Sequence, residues 1–245
     1  MIRKLGTPLL ILLLLSLSLL IYLIQFLLFR RLEETEFYLL QDLAFVPISV
    51  LLVTLGLNTV MVYRERQEKL ERVSIVVNEF FSESGTDLIR ALQPFISNLS
   101  EIASRLQPTA AWQERHFTET AAYLAQSPVI TDARRSDLNG MLALLQQKKD
   151  QILRLFENAN LMEHDRFTDM LWAVYHVYDE LRSRDSLQDL LPVDLQHLSG
   201  DLQRAAQLLL IEWIDSMRLL KAKYPYLYSL AVRKNIFGQS DVQIR

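Results

Sequence analysis

The sequence contains no cysteine and only six glycines in 245 residues. Without cysteine, the chain can form no disulfide, no cysteine-ligated zinc site and no thiol nucleophile. The glycines are isolated from one another, whereas phosphate-binding loops and dinucleotide-binding fingerprints need several closely spaced glycines. These absences argue against an ATPase, a kinase or a nicotinamide-dependent enzyme. We therefore expect no cofactor.

Concentrated positive charge is missing as well. Lysine and arginine total 26 residues against 29 aspartate and glutamate residues, which gives a formal net charge of −3. After Tyr63, both signs of charge are interleaved along the chain. Because binding to a phosphate backbone needs a concentrated basic face, nucleic acid is not an expected partner.

Long apolar runs are present, and they are confined to the N-terminal part of the chain. Residues 8–29 contain no charge and are long enough to cross roughly 30 Å of bilayer hydrocarbon as a helix. Their length and the lack of a small-residue cleavage site argue against a cleaved signal peptide. A second run covers 37–63, and the short loop 30–36 makes the two runs antiparallel neighbours. The sequence thus predicts a two-helix transmembrane hairpin.

The distribution of lysine and arginine predicts the orientation of this hairpin. Six such residues flank its two outer ends, whereas its loop carries two. Both termini, including the short N-terminus 1–7, are therefore expected on the cytoplasmic side of the cell's inner (plasma) membrane. Asp42 and Asn58 are polar residues within the second predicted span. Such residues can mark functional positions in lipid, although Asp42 is close enough to the interface to reach it with its side chain.

The remainder of the chain, 64–240, is predicted to be a cytosolic helical domain, followed by a tail at 241–245. Its apolar residues recur with helical spacing, and prolines and polar clusters separate the segments. The predicted helices cover about 64–93, a short stretch between Pro94 and Pro108, and then 109–126, 133–160, 163–184, 192–223 and 224–236. The predicted fold class is all-α, with a two-helix transmembrane hairpin followed by an antiparallel cytosolic helical bundle.

Four segments of the sequence carry a resemblance to known proteins. They are FYLLQDLAFVPISVLLVTL at 37–55, NEFFSESGTDLI at 78–89, LFENANLMEHDRFTDMLWAVYHVYDEL at 155–181 and EWIDSMRLLKAKYPYLYSLAVRKNIF at 212–237. Through them the chain resembles a group of uncharacterised prokaryotic two-pass membrane proteins with a cytosolic helical domain. The resemblance covers most of the chain and implies the architecture given above, but it implies no activity, ligand or site residue.

Two histidine–carboxylate pairs are candidate metal ligands. His176 and Glu180, and likewise His197 and Asp201, are four residues apart, so each pair shares one face of a predicted helix. If the two helices are antiparallel neighbours, the four side chains can converge on one ion. Local hydrogen bonding or surface pairing is the commoner role of such pairs, and no HExxH motif accompanies them.

The C-terminal segment mixes tyrosines with lysine and arginine, a composition typical of a membrane–water interface. Tyr226 and Lys234 are the residues expected to contact the membrane surface in that interpretation. The alternative is a cap on the helical bundle with its tyrosines turned inward.

The function that these features favour is that of a non-catalytic, membrane-anchored helical interaction or scaffold module. Its expected partners are the lipid bilayer and another protein or a second copy of the chain. An alternative is a channel or transport accessory, in which hairpins oligomerise around Asp42, Asn58 and Thr54. A third is a metal-binding helical domain that uses the histidine–carboxylate pairs.

Overall fold

The computed structural model describes residues 16, 19–24, 26–27, 32–162 and 164–238. Within these ranges every regular element is helical, and extended backbone pairs only in an isolated bridge between Ile96 and Thr131. The prediction of an all-α fold is confirmed. The chain divides into two compact units, Met1–Arg66 and Gln67–Arg245, which are described separately below.

The first unit contains helical residues between positions 16 and 27 and most of the long helix α1, Leu32–Phe80, which ends in the second unit. The Tyr22 hydroxyl donates a hydrogen bond to Asp42 Oδ2 at 3.2 Å, so the two stretches of helix touch at this point. Large apolar side chains are exposed along the described parts of 19–27 and 37–63.

Among the residues that the structure describes, no helix combines the length and the apolar character needed to cross a bilayer. The predicted transmembrane spans at 8–29 and 37–63 are therefore not confirmed. Much of 8–29 lies outside the described residues, as do the predicted N-terminus 1–7 and the tail 241–245.

The second unit consists of eight further helices joined by short connections in its described residues. They are α2 Thr86–Leu92, α3 Leu99–Arg105, α4 Glu114–Gln126, α5 Leu138–Phe156, α6 Ala159–Met162, α7 Asp165–Arg182, α8 Pro192–Lys223 and α9 Pro225–Lys234. A π-helical turn, Phe81–Gly85, separates α1 from α2. Short 3-10 turns follow at Gln93–Phe95 and Ala133–Arg135.

Local sequence signals account for several of these helix ends. Pro192 and Pro225 each occupy the first turn of a helix, where the missing backbone N–H costs no hydrogen bond. The Asp137 side chain accepts a hydrogen bond from the Asn139 backbone N–H and caps α5. For this reason the helix predicted at 133–160 begins only at Leu138.

The long helix α8 lies at the centre of the second unit and packs against α7, α4 and α9. Its apolar face is buried from Leu198 to Leu220, and Leu198, Leu209 and Ile214 are completely inaccessible to solvent. Phe80 at the end of α1 and Phe167 on α7 meet edge to face in the same core, with ring centroids 5.5 Å apart. The packing of α7 against α8 fixes these two helices relative to each other. The candidate site lies on this pair of helices.

Candidate metal centre

The two predicted histidine–carboxylate pairs come together where α7 and α8 pack side by side. His176 and Glu180 are one turn apart on α7, and His197 and Asp201 are one turn apart on α8. Apolar residues of both helices are buried beside them, which fixes the two backbones at this place. The structure therefore brings together all four candidate ligands that the spacing singled out.

The ligand atoms of the four residues, one from each, all lie within 4.8 Å of one another. His176 Nε2 is 3.7 Å from Glu180 Oε1 and 3.5 Å from Asp201 Oδ1. His197 Nε2 is 3.4 Å from Glu180 Oε2 and 3.2 Å from Asp201 Oδ2. In a tetrahedral zinc site with metal–ligand bonds of about 2.0–2.1 Å, neighbouring ligand atoms are separated by about 3.4 Å. The four histidine–carboxylate distances are close to this value, but they involve both oxygens of each carboxylate. Ligand atoms taken one from each residue are up to 4.8 Å apart, so an ion would draw the four side chains closer together.

Burial differs across the cluster. The two histidine side chains are about half exposed, whereas the Asp201 side chain is only 6% exposed. Asp201 Oδ2 is inaccessible to solvent and has no hydrogen-bond partner, since His197 Nε2 is near it but is not aligned as a donor. A buried, unsatisfied carboxylate oxygen is costly unless a cation compensates it. Arg204 approaches Asp201 Oδ1 only to 4.0 Å.

Arg184 holds one side of the cluster in place. Its guanidinium donates two hydrogen bonds to Asp194, at 2.6 and 2.9 Å, and a third to Glu180 Oε2 at 3.0 Å. These hydrogen bonds lower the pKa of both carboxyl groups. Glu180 is therefore an ionised and oriented carboxylate, and its Oε1 atom remains directed toward His176.

Arg184 and Asp194 are the supporting residues that sequence reasoning missed. Asp194, His197 and Asp201 recur at intervals of three and four residues, so they share one face of α8. From this spacing, Asp194 could have been identified in the sequence as a residue next to the candidate ligands. Arg184 lies beyond the end of α7, in the connection to α8, and no periodic pattern predicts where its side chain goes.

The remaining candidate residues lie elsewhere. Asp42 accepts the hydrogen bond from Tyr22, and Asn58 is exposed on α1. The two are 16 residues apart on this one helix, a rise of about 24 Å, so they do not form a common site within one chain. Tyr226 and Lys234 are both exposed on α9.

Comparison with known proteins places both parts of the chain in one family. The family model for the C-terminal helical domain of the uncharacterized protein MJ1433 matches residues 69–233. The model for the N-terminal helical domain of MJ1433 matches residues 4–61. The uncharacterized protein MJ1433 of Methanocaldococcus jannaschii is 38% identical to the chain over 231 residues, which are 94% of this chain and 93% of that protein. No solved structure matches the chain significantly.

Proposed function

The chain belongs to the MJ1433 family, and we propose that it is a non-catalytic, membrane-attached helical module that binds a divalent transition-metal ion between α7 and α8. The observation that carries the metal-binding part is the convergence of His176, Glu180, His197 and Asp201 within 4.8 Å. The ion would join two helices that are also held together by apolar packing, by the contacts of Arg184 and by the ion pairs of Arg166 with Glu212 and Asp215. A module stabilised in this way would present a fixed surface to a protein partner.

The donor set defines the class of metal. Two imidazole nitrogens and two carboxylate oxygens suit zinc and its first-row neighbours, and small side-chain movements would bring the four ligand atoms to the spacing of a tetrahedral site. Four protein ligands leave no open position for a substrate or an activated water. Sites of this kind are structural in other zinc proteins, which supports a non-catalytic role.

Zinc titration of the purified full-length chain, after chelator treatment, tests the metal site. We expect one equivalent of zinc to bind and to raise the thermal unfolding midpoint. His176→Ala and His197→Ala should each weaken zinc binding by more than about 100-fold, since loss of an outer-shell residue alone costs about 10–100-fold. Arg184→Gln removes a residue that orients the ligand Glu180, and it should weaken zinc binding about tenfold.

Two variants serve as controls for the zinc titration. His116→Asn changes a histidine on α4 that accepts a hydrogen bond from the Gln113 backbone, and it should leave zinc binding unchanged. Asp201→Asn should abolish zinc binding, because it replaces a charged carboxylate ligand by a neutral amide. Absence of stoichiometric binding in the wild type, or wild-type affinity in both histidine variants, would contradict the metal site.

The proposal of membrane attachment rests on the first unit. Large apolar side chains such as Leu19, Leu43, Val53, Leu57 and Met61 are each at least 60% exposed there. Such an extended apolar surface is unfavourable in water and favourable against lipid. The excess of lysine and arginine at the outer ends of this region supports a cytoplasmic position for the second unit.

Carbonate washing of vesicles that contain the full-length chain tests this attachment. We expect the chain to stay in the membrane pellet, because apolar burial does not depend on charge. Protease added to sealed vesicles then separates two arrangements. Protection of 37–63 indicates a segment that crosses the bilayer, and cleavage within it indicates a segment that lies on the surface. Release of the intact chain by carbonate would overturn the membrane part of the proposal.

A further inference from the structure

A cavity of about 380 Å³ lies within the second unit, between the C-terminal part of α1, the π-helical turn, α8 and α9. Its volume falls within the range of small-molecule binding pockets. This cavity is separate from the metal cluster, because it shares no residue with it. It is referred to below as the α9 cavity.

Most of the side chains that line the α9 cavity are apolar. They include Ile75, Phe81, Met217, Leu220, Leu227 and Leu230. Trp213, which is almost fully buried, also lines it. A pocket with this lining favours a ligand with an apolar body, because apolar contact replaces water in the cavity.

One polar group within this lining has an unused hydrogen-bond donor. Asn78 is only 9% exposed, and its Oδ1 atom accepts a hydrogen bond from the Ser216 hydroxyl at 2.6 Å. Its Nδ2 atom is inaccessible to solvent and has no partner. Because the acceptor side of the amide is occupied and the donor side is free, the missing group must be a hydrogen-bond acceptor.

The charged residues of the lining are Glu79 and Lys234, both of which are exposed. Lys234 is one of the two residues that the sequence singled out for contact with lipid, and the other, Tyr226, also lines the cavity. A cation at the margin of an apolar cavity suits a ligand whose polar end is neutral or negative.

We propose that the α9 cavity binds a small amphiphile that has one apolar chain and one carbonyl or carboxylate group. The apolar chain contacts Phe81, Met217 and Leu230. A rotation of the Asn78 side chain brings its Nδ2 atom to the cavity surface, where it donates a hydrogen bond to the carbonyl or carboxylate oxygen. This inference is independent of zinc binding, since the two sites use different residues.

The fluorescence of Trp213 provides a direct readout in the full-length chain. Trp112→Phe and Trp172→Phe leave Trp213 as the only tryptophan. With this chain in lipid nanodiscs, we expect saturable changes in emission on titration with decanoate and with methyl decanoate. Decylammonium, which has the same chain but no acceptor, should bind about tenfold more weakly than either.

Asn78→Leu separates a specific pocket from general partitioning into lipid. This variant keeps the branching of the side-chain heavy atoms but removes the donor, so it should weaken binding of methyl decanoate about five- to tenfold. Ala231→Phe, which narrows the cavity, should weaken all the ligands. Val193→Ala, at an exposed position outside the lining, is the matched control and should change nothing.

Three results would overturn the proposal. The first is a signal that rises without saturation, which indicates partitioning into the nanodisc only. The second is equal binding of decylammonium and decanoate. The third is binding of methyl decanoate to Asn78→Leu with wild-type affinity, which would leave Asn78 to be satisfied by water. If zinc binding fails while these titrations succeed, only the metal site is refuted.

Discussion

Glu212 is a buried carboxyl group whose ionisation affects the stability of the second unit. Its side chain is 3% exposed on α8, and burial raises its pKa to about 7. Arg166 Nε, 3.4 Å from Oε1, only partly offsets that burial. The folded chain therefore binds more protons than the unfolded chain between pH 4.5 and about 7. The stability contributed by protonated Glu212 is complete below pH 4.5 and is lost as pH rises through 7.

Glu212→Gln should remove this dependence on pH. At pH 8 we expect the free energy of unfolding to exceed that of the wild type by about 1–3 kcal/mol, because the variant buries no charge. Near pH 4 the two proteins should be equally stable. Urea unfolding followed by circular dichroism across this range measures the difference. Glu114→Gln, at an exposed position, is the control, and identical pH profiles for wild type and Glu212→Gln would contradict the argument.

Helical spacing in the sequence predicted only those parts of the candidate site that lie close together along the chain. His176 with Glu180, and His197 with Asp201, follow from intervals of four residues, and the structure confirms that the two pairs meet. The partnership of Asn78 with Ser216 joins residues 138 positions apart in the chain. Nothing local in either segment indicates that contact, because it depends on how α1 and α8 pack.

At the scale of the helices, most of the predicted segments are present, and the differences are local. The helix predicted at 192–223 is observed as Pro192–Lys223, because a proline begins it and a polar end follows. The helix predicted at 64–93 is interrupted by the π-helical turn Phe81–Gly85. A π-helical turn inserts one extra residue while apolar residues still recur every three or four positions. Hydrophobic periodicity therefore does not reveal it.

Gly85 is required by the close packing of that π-helical turn. A Cβ atom at this position would lie 2.4 Å from Cδ1 of Phe81 and 2.9 Å from Cε1 of Phe80. Both rings are buried and cannot move away freely. Gly85→Ala should therefore lower the free energy of unfolding by about 1–3 kcal/mol, as overpacking of a core does.

Gly200→Ala is the matched control for this prediction. Gly200 lies inside α8, and a Cβ atom there would meet nothing within 4 Å. Alanine should therefore raise the free energy of unfolding by about 0.5–1 kcal/mol, because it favours the helix. Urea unfolding of the two variants under the same conditions tests the pair. If Gly85→Ala raised the free energy of unfolding as much as Gly200→Ala does, the rings near Gly85 would have moved without energetic cost.

On the scale of the whole molecule, the buried core lies in the described residues of the second unit, whereas most of the exposed large apolar side chains lie in the first. The hydrophobic core contains residues from Val73 to Ile236, and all of it lies in Gln67–Arg245. The exposed apolar side chains of 19–27 and 37–63 lie in Met1–Arg66. The two family matches, 4–61 and 69–233, follow the same division. Among the described residues, the two units thus differ in how much of their apolar surface is buried, and the membrane attachment proposed above rests on this difference.

This division predicts that a chain starting at Gln67 folds without lipid or detergent. It keeps Val73, Val77 and Phe80, the residues through which the end of α1 joins the core. It should be monodisperse in buffer and unfold cooperatively in urea. A chain starting at Ser82 lacks these three side chains and should lose several kcal/mol, since removal of a single large core side chain costs about 2–5 kcal/mol. Aggregation of the chain that starts at Gln67 would mean that the core of the second unit extends into Met1–Arg66. Equal stability of the two chains would mean that the end of α1 contributes nothing to that core.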